Sequence, residues 1–163
     1  MVVKSTETVL PRQLELPYLG FFLGLRVNEL VMEQTWNAGF TGVRESHGYL
    51  IQHLIETDRT ITELAKRMEV TQQAASKVVA ELIRLRIVET VSNGDRRTKR
   101  IRLSKRGWQC VQLGRRTRAR IEKRLIRSVG KRDYDGARRT VLNCLQELGG
   151  FDRIRSRRIR APR

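Results

Sequence analysis

The stretch "NGDRRTKRIRLSKRG", residues 93–107, contains seven cationic side chains and a single acid. Its second half, "RIRLS", alternates with a period of two, which places Ile101 and Leu103 on one face of a strand. Arg100 and Arg102 then lie on the opposite face. The preceding run "IVETV" alternates in the same way, and a turn-rich loop joins the two runs. We therefore predict a β-hairpin with a cationic loop and not a disordered basic segment.

The positive charge of the chain is concentrated after residue 90. The formal net charge of the 163 residues is +17. Residues 1–90 hold ten Lys/Arg and eleven Asp/Glu, or −1, and residues 91–163 hold twenty-four and six, or +18. Such an excess favours a polyanionic partner, with nucleic acid first and an anionic membrane surface second. The apolar run near the N-terminus is too short to cross a bilayer, so we expect a cytoplasmic protein without a membrane partner.

Most of the remaining chain has helical periodicity. The predicted helices span residues 17–37, 43–57, 60–68, 72–86, 105–129 and 133–148. The first half of the first helix, "YLGFFLGL", is apolar on nearly every side, which is more than one face of a small domain needs. We therefore expect a partner helix there from a second subunit. Residues 1–13 are predicted to be a flexible arm, and the arginine-rich residues 151–163 a basic, disordered tail.

Two short helices before the hairpin form a predicted helix-turn-helix. Thr60 and Glu63 fit a capping box at the start of the first helix, and Thr71 is a favourable N-cap for the second. The second helix has an apolar stripe and, near its start, an opposite polar face. Such a helix fits the major groove of DNA, where glutamine amides read adenine and lysine reaches guanine or phosphate. Its predicted DNA-contacting residues are Thr71, Gln72, Gln73, Ser76 and Lys77.

This order of a helix-turn-helix and a basic hairpin is that of a winged helix-turn-helix, and the sequence resembles the MarR family of bacterial transcription regulators. "DRRTKRIRLSKRG" is similar to the family's wing: Asp, any residue, Arg, an alternating strand ending in Leu-Ser, and a Gly that opens the long helix. "ITELAKRMEVTQQAASKVVAELIRLRIVE" is similar to its reading unit, except that Glu69 stands where the family has Gly. Glu69 is therefore expected to adopt a positive φ or to widen the turn. The resemblance covers residues 14–150.

The resemblance implies a mainly α-helical fold with a small β-hairpin wing, and a homodimer whose two lobes bind a pseudo-palindromic duplex. The implied regions are a winged helix-turn-helix lobe at residues 41–104 and a helical dimerisation region at residues 14–40 and 105–150. The resemblance also implies that Asp95 steadies the wing and that Arg97 enters the minor groove. The other wing cations predicted to contact DNA are Arg96, Lys99 and Arg100.

The resemblance further implies a pocket for a small aromatic or phenolic effector between the first, second and fifth helices. Its predicted wall consists of Phe22, Leu25, His47, Ile51 and Val111. No metal site is expected, because the two histidines do not share a helical face and the two cysteines have no CxxC spacing. No cofactor is expected either. The chain has no phosphate loop and no nucleophile–base signature, so we do not expect an enzyme.

Together these patterns predict a sequence-specific regulator that binds double-stranded DNA. We expect a ligand-responsive dimeric repressor that works in the bacterial cytoplasm, associated with the nucleoid. The alternative is a basic architectural or RNA-binding module with little sequence preference. A steep salt dependence without preference for any duplex would favour the alternative, whereas a large specificity ratio would favour the regulator.

Overall fold

A computed structural model describes residues 10–92 and 99–156, and within them the chain is mostly helical with one two-stranded hairpin. The helices are α1 (Leu16–Asn37), α2 (Glu45–Ile51), α3 (Ile61–Met68), α4 (Gln72–Arg84), α5 (Lys105–Val129), α6 (Lys131–Glu147) and α7 (Phe151–Arg155). The strands are β1 (Val88–Ser92) and β2 (Lys99–Leu103), which pair antiparallel. The predicted fold class, mainly α with a small β-hairpin, is confirmed.

The core lies in a lobe formed by α2, α3, α4 and the hairpin. Leu50 of α2, Leu64 of α3 and Leu82 of α4 are completely buried there. In α4, Ala75, Val79 and Leu82 recur at intervals of three and four residues, which puts them on one face of the helix. Each fully buried leucine contributes roughly 1.5–3 kcal/mol through removal of its surface from water. The lobe is therefore a unit with its own core.

The turn between α3 and α4 follows the predicted local chemistry. At the start of α3, the Glu63 backbone N–H donates to Thr60 Oγ1 (3.2 Å), and the Thr60 N–H donates to Glu63 Oε2 (2.7 Å). Helix α3 ends at Met68, and its C-cap residue Glu69 has a φ of 54°, in the left-handed region, which is the first of the two outcomes expected for this position. Thr71 then caps α4, because its Oγ1 accepts from the Ala74 N–H (3.1 Å). These contacts set the angle at which α4 leaves α3.

The hairpin is tied into the lobe by a third backbone segment. Arg59, just before α3, exchanges backbone hydrogen bonds with Ile101 of β2, at 3.0 Å and 2.7 Å. Ile101 and Leu103 are buried, whereas Arg102 is exposed, so the alternation predicted for this strand is confirmed. The base of the hairpin is consequently held by both the core and the sheet.

Helix α5 begins where it touches the backbone before β1. Ser104 caps the helix, since its Oγ accepts from the Gly107 N–H (3.0 Å), and it also donates to the Arg86 carbonyl (2.6 Å). A Cβ atom on Gly107 would lie 2.0 Å from the carbonyl oxygen of Ile87, a separation that no side chain tolerates. The glycine that opens the long helix is therefore required for close packing of α5 on the lobe.

Several element bounds differ from the sequence prediction. The second helix was expected at residues 43–57, but α2 ends at Ile51 and continues as a single 3₁₀ turn, Gln52–Leu54. The last helix of the predicted set was expected at residues 133–148. Instead it begins at Lys131, with Gly130 (φ 86°) at the N-cap position, so that Asp133 lies in the first turn. A carboxylate there still favours the helix through its dipole.

The two ends of the described chain contain short ordered turns. Within the predicted arm, Pro11–Gln13 form one 3₁₀ turn, and residues 1–9 lie outside the described residues. The disorder predicted for residues 151–163 is wrong for the first part of that tail, because Phe151–Arg155 form α7. Residues 157–163 lie outside the described part. Among the helices of the described ranges, none has the length and apolar character that crossing a bilayer requires.

Candidate nucleic-acid interface and ligand cleft

The first two turns of α4 present a polar face to solvent. Gln72, Gln73, Ser76 and Lys77 are all exposed, while the opposite side of the helix is held in the lobe core. Thr71 is also exposed, and its Oγ1 is already used as a hydrogen-bond acceptor in the cap, which leaves its hydroxyl hydrogen to donate. The five α4 residues selected from the sequence therefore form one accessible surface with both donors and acceptors.

The predicted wing residues fall into two groups. Asp95, Arg96 and Arg97 lie outside the described residues, so the expectations for them remain predictions. Lys99 and Arg100 begin β2 and are described. Lys99 is exposed beside the tip of the hairpin.

Arg100 has an internal partner that the sequence did not reveal. Its Nη1 donates to the Asp58 carbonyl (2.7 Å) and lies 3.9 Å from Glu63 Oε2 at the start of α3. The side chain is one-third exposed. Arg100 therefore ties the wing to α3, and the DNA contact expected for it stays a prediction.

A second cross-strand contact stiffens the outer face of the hairpin. Glu89 of β1 stands opposite Arg102 of β2, and the Arg102 Nε donates to Glu89 Oε1 at 2.7 Å. Opposite charges directly across an antiparallel pair stabilise the register by about 0.2–1 kcal/mol. The sequence shows both charges, but only the strand register places Glu89 opposite Arg102.

A cleft of about 610 Å³ lies between α1, α2 and α5. Its wall includes Ile51 and Val111, which were predicted there. Phe22 and Leu25 do not line the cleft, because the lining part of α1 begins only at Asn28 and both side chains point to the exposed surface. Of these four predicted wall residues, Ile51 and Val111 line the cleft and Phe22 and Leu25 do not, and the binding of an effector there stays a prediction.

His47 is also absent from the cleft wall, since it is buried inside the lobe with only 1% of its surface exposed. Its Nδ1 accepts from the Arg44 backbone N–H (3.1 Å), which places the proton on Nε2, and Nε2 donates to Glu81 Oε2 of α4 (3.1 Å). The Arg44 guanidinium pairs with the same carboxylate. The hydrogen bond from His47, followed by the charge of Arg44, lowers the pKa of Glu81 against the opposing effect of burial.

This three-residue contact, Arg44–His47–Glu81, joins the cleft to the reading helix. Arg44 lines the cleft, and Glu81 belongs to α4. Local sequence patterns do not indicate this contact, because Glu81 is separated from Arg44 by 37 residues and from His47 by 34. Only the packing of α2 on α4 brings these groups together.

The charged groups of the cleft are mostly cationic. Arg44, Arg115 and Arg118 line it, and Glu45 is the one acidic residue among the lining residues of the described chain. Cys110 also lies on the wall, where burial raises the pKa of its thiol against the opposing charge of Arg106. A thiol with a raised pKa is protonated at neutral pH and a poor nucleophile. Within the described ranges, no group of three or more His, Cys, Asp or Glu side chains could hold a metal ion.

The helical region carries a large exposed apolar surface. On α1 its residues are Leu16, Tyr18, Leu19, Phe21, Phe22, Leu23 and Leu25, and Phe21 is 59% exposed. Further exposed apolar residues are Val141 and Leu142 of α6, Leu148 after it and Ile154 of α7. Soluble monomers rarely leave a continuous apolar surface of this size open to water. The chain therefore has an exposed apolar surface that another protein surface is expected to bury, as the apolar pattern of the first helix predicted.

The fold and the site together define a class: a winged helix-turn-helix protein with a helical extension at both ends of the winged lobe. Residues 39–98, which contain the helix-turn-helix and the wing, match the family model described as the MarR family. No curated protein sequence matches the chain.

Solved structures match over most of the chain. A MarR family protein from Bacillus stearothermophilus has a TM-score of 0.65 and 21% identity, and the match covers 87% of this chain and 99% of that chain. MepR, a transcription regulator of the Staphylococcus aureus multidrug efflux pump MepA, has a TM-score of 0.64 and 16% identity, covering 83% and 99%. The resemblance seen in the sequence is confirmed: residues 39–98 match the MarR family model, and the fold over most of the chain is similar to that of the solved MarR structures.

MepR has also been solved in two bound forms that match this chain. A substituted MepR bound to an oligodeoxyribonucleotide has a TM-score of 0.58 and 18% identity, covering 83% of this chain and 99% of that chain. MepR bound to ethidium bromide has a TM-score of 0.61 and 16% identity, covering 84% and 99%.

Proposed function

We propose that this protein is a transcriptional regulator, not an enzyme, and that it binds double-stranded DNA with sequence specificity. The observation that carries the proposal is the polar face at the start of α4, which is fully accessible while the opposite face of the same helix is fixed in the core. A rigid helix with an accessible N-terminal half is what major-groove reading requires. The oligodeoxyribonucleotide bound to a MepR variant supports this use of the fold.

In this proposal the α4 residues contact the base edges, and the wing contacts the DNA backbone. Gln72 and Gln73 can each offer an amide donor and acceptor to the adenine edge, and Lys77 can reach guanine or a phosphate. By the family resemblance, Arg97 would enter the adjacent minor groove and Asp95 would hold it in position. Arg96 and Lys99 add phosphate contacts at the wing.

The protein acts as a homodimer in this proposal. Its exposed apolar surface on α1, α6 and α7 would be covered by the same surface of a second copy, as a two-fold interface requires. Two lobes then read two half-sites about 34–36 Å apart on a pseudo-palindromic duplex. Binding of such a dimer across a promoter excludes polymerase, so the proposed activity is repression.

The cleft is the proposed effector site. Its apolar wall suits an aromatic or phenolic ligand, and its three arginines favour a ligand with a negative group. A negative group that attracts Arg44 would weaken the contact of Arg44 with Glu81 on the reading helix. The complex of MepR with ethidium bromide supports a ligand-binding role for this fold. Release from DNA follows if the ligand favours a lobe spacing that does not match successive major grooves.

Selection of bound duplexes from a random DNA pool tests the proposal. We expect an enriched, pseudo-palindromic sequence whose half-site centres are one helical turn apart. Arg97→Ala should weaken binding to the selected duplex strongly and leave the dimer intact, as measured by equilibrium binding and by solution mass. Enrichment of no sequence at all would contradict specific DNA binding.

The alternative function, a basic architectural or RNA-binding module, is favoured by one observation, the net charge of +17. Such a module would bind duplexes of any sequence with equal affinity and with a steep salt dependence. Competition between the selected duplex and a scrambled duplex at fixed salt separates the two functions, because only a regulator distinguishes them.

A further inference from the structure

A line of polar side chains follows the outer face of α5 from the base of the wing to the end of the helix. Its members recur every three or four residues: Lys105, Gln109, Gln112, Arg116, Arg120, Lys123 and Arg127. This spacing keeps all seven on one side of an α-helix, and a rise of 1.5 Å per residue makes the line about 33 Å long. All seven side chains are exposed. We call this surface the α5 stripe.

The α5 stripe differs from the ordinary charged faces of this protein. On α1, Arg26 is paired with Glu29 (2.8 Å) and Glu33 (3.3 Å), so cations and acids alternate there. The stripe has five cations and no acid, and no ion pair among the described residues includes any of its members. The acid within α5, Glu122, is turned away from the stripe and accepts from the Tyr134 hydroxyl (3.1 Å).

Such an arrangement has an energetic cost for the free protein. Like charges three and four residues apart destabilise a helix by about 0.2–0.5 kcal/mol per pair, and the stripe contains such pairs at Arg116–Arg120, Arg120–Lys123 and Lys123–Arg127. A bound polyanion removes this repulsion. Glutamine side chains within the same line can donate hydrogen bonds to phosphate oxygens. The stripe is thus complementary in charge and in hydrogen bonding to a nucleic-acid backbone.

The position of the stripe separates it from the other two surfaces of the molecule. The buried side of α5, with Gly107, Cys110, Gly114 and Thr117, faces the lobe and α1, and the stripe lies on the opposite side. The large exposed apolar residues of α1, α6 and α7 are not part of it. The buried side of α5 packs on the lobe that would hold the first duplex, so the stripe lies on the side of this helix turned away from the lobe.

We infer that the α5 stripe binds the phosphate backbone of a second DNA duplex while the lobe holds the first. Duplex DNA carries about one negative charge per 1.7 Å of its axis, so a stripe of about 33 Å meets many phosphates. The contact reads no bases and depends steeply on salt. It allows one protein to bridge two DNA segments, and it rests on the proposed DNA-binding function, since the lobe must hold the first segment.

A two-duplex capture experiment tests the inference. The duplex selected from the random pool is fixed to beads and loaded with the full-length protein, and a labelled scrambled duplex of equal length is then added. The wild type should capture the labelled duplex. The triple variant Arg116→Gln, Arg120→Gln, Arg127→Gln should load on the beads as the wild type does and capture at least about tenfold less. The slope of log capture affinity against log salt should fall by about 2–3, or 0.9 for each lost phosphate contact.

A matched variant controls for the loss of net charge. Arg132→Gln, Arg138→Gln, Arg139→Gln removes three exposed cations from α6, and its capture should stay within about twofold of wild type. Equal loss in both variants, or capture by the stripe variant at the wild-type level, would overturn the inference. So would preferential capture of labelled RNA, or a change in solution mass of the stripe variant. Failure of the wild type to load on the selected duplex would instead refute the DNA-binding function on which the inference rests.

Discussion

The winged lobe and the helical region differ in how much of their apolar surface is buried within one chain. In the lobe, α2, α3 and α4 each contribute a leucine that is completely buried. In the helical region, α6 buries no residue at all, and Leu148 after it is 80% exposed. The lobe therefore has a complete core within one chain, whereas the helical region depends on a surface from elsewhere. Folding of the lobe and assembly of the helical region are therefore separate requirements in this sequence.

The cations of the lobe and of the α5 stripe also differ in whether they form ion pairs within the chain. Two lobe cations have partners inside the chain: Arg44 pairs with Glu81, and Arg100 donates to the Asp58 carbonyl. The cations of the α5 stripe form no ion pair among the described residues, and Arg120 donates a hydrogen bond to Thr117 Oγ1 of the same helix (3.4 Å). Partnered cations fix the shape of the lobe, and unpaired cations remain available to a polyanion.

The largest expected effect is the loss of the dimer on substitution in the helical region. In Phe21→Glu, each copy loses roughly 1.5–3 kcal/mol of apolar burial at the proposed interface. Because a two-fold interface loses it twice, the dimer dissociation constant should rise at least about a hundredfold. Sedimentation or light scattering at several concentrations measures this. Ile83→Glu introduces the same charge at an exposed site of the lobe and should leave the mass unchanged, so a dimer that persists in both variants refutes the interface.

A smaller but still large effect is expected in the lobe core. Leu82→Ala should lower the free energy of unfolding by about 2–5 kcal/mol, because the cavity it leaves is enclosed by packed side chains. Chemical denaturation measures the change. Its neighbour Ile83 is 41% exposed, so Ile83→Ala on the same helix should cost less than about 1 kcal/mol. Similar losses in the two variants would show that α4 is not anchored as described.

A specific change in base preference is expected from the reading face. Gln73→Ala should lower discrimination at one position of each half-site by about 1–3 kcal/mol and change overall affinity less. Repeating the selection with the variant reveals the position. Gln109→Ala, an exposed glutamine on α5, is the matched control and should leave the selected sequence intact. An equal loss of affinity for all DNA sequences would instead show that Gln73 contacts the DNA backbone.

The smallest expected effect concerns acid stability. The folded state lowers the pKa of Glu81, chiefly through the hydrogen bond from His47. Its ionised form therefore stabilises the fold above the unfolded pKa of about 4.3, and this contribution disappears as the pH falls through the lower folded pKa. Unfolding free energies of wild type and Glu81→Gln should differ most near neutral pH and converge in acid. If the difference in unfolding free energy did not change with pH, the ionised carboxylate of Glu81 would not be the group that stabilises the fold.

The sequence predicted the lobe well because its signals are local. A capping box at Thr60 and Glu63, the N-cap at Thr71 and the period-two strand at residues 100–104 each depend on neighbours within a few positions. At Glu69 the local pattern left two outcomes open, and the structure has the positive φ. These features need no knowledge of tertiary structure.

The rest depended on contacts between distant residues. The point along α1 at which the helix reaches the cleft decides which of its residues line it, and because the lining part begins only at Asn28, Phe22 and Leu25 lie outside. The partners of Arg100 and Glu81 lie 42 and 34 residues away along the chain. Periodicity assigns a residue to a face, but it does not say which face of another helix meets it.

Competition binding at physiological salt tests the central claim most directly. The wild-type protein is titrated with a labelled duplex taken from the selection, and the selected and scrambled duplexes compete for it in parallel. Specific reading by α4 predicts that the selected duplex competes about 10³-fold or more better than the scrambled one. A ratio near one, with equal salt slopes for both duplexes, would contradict sequence-specific recognition and leave only a basic module that binds any DNA.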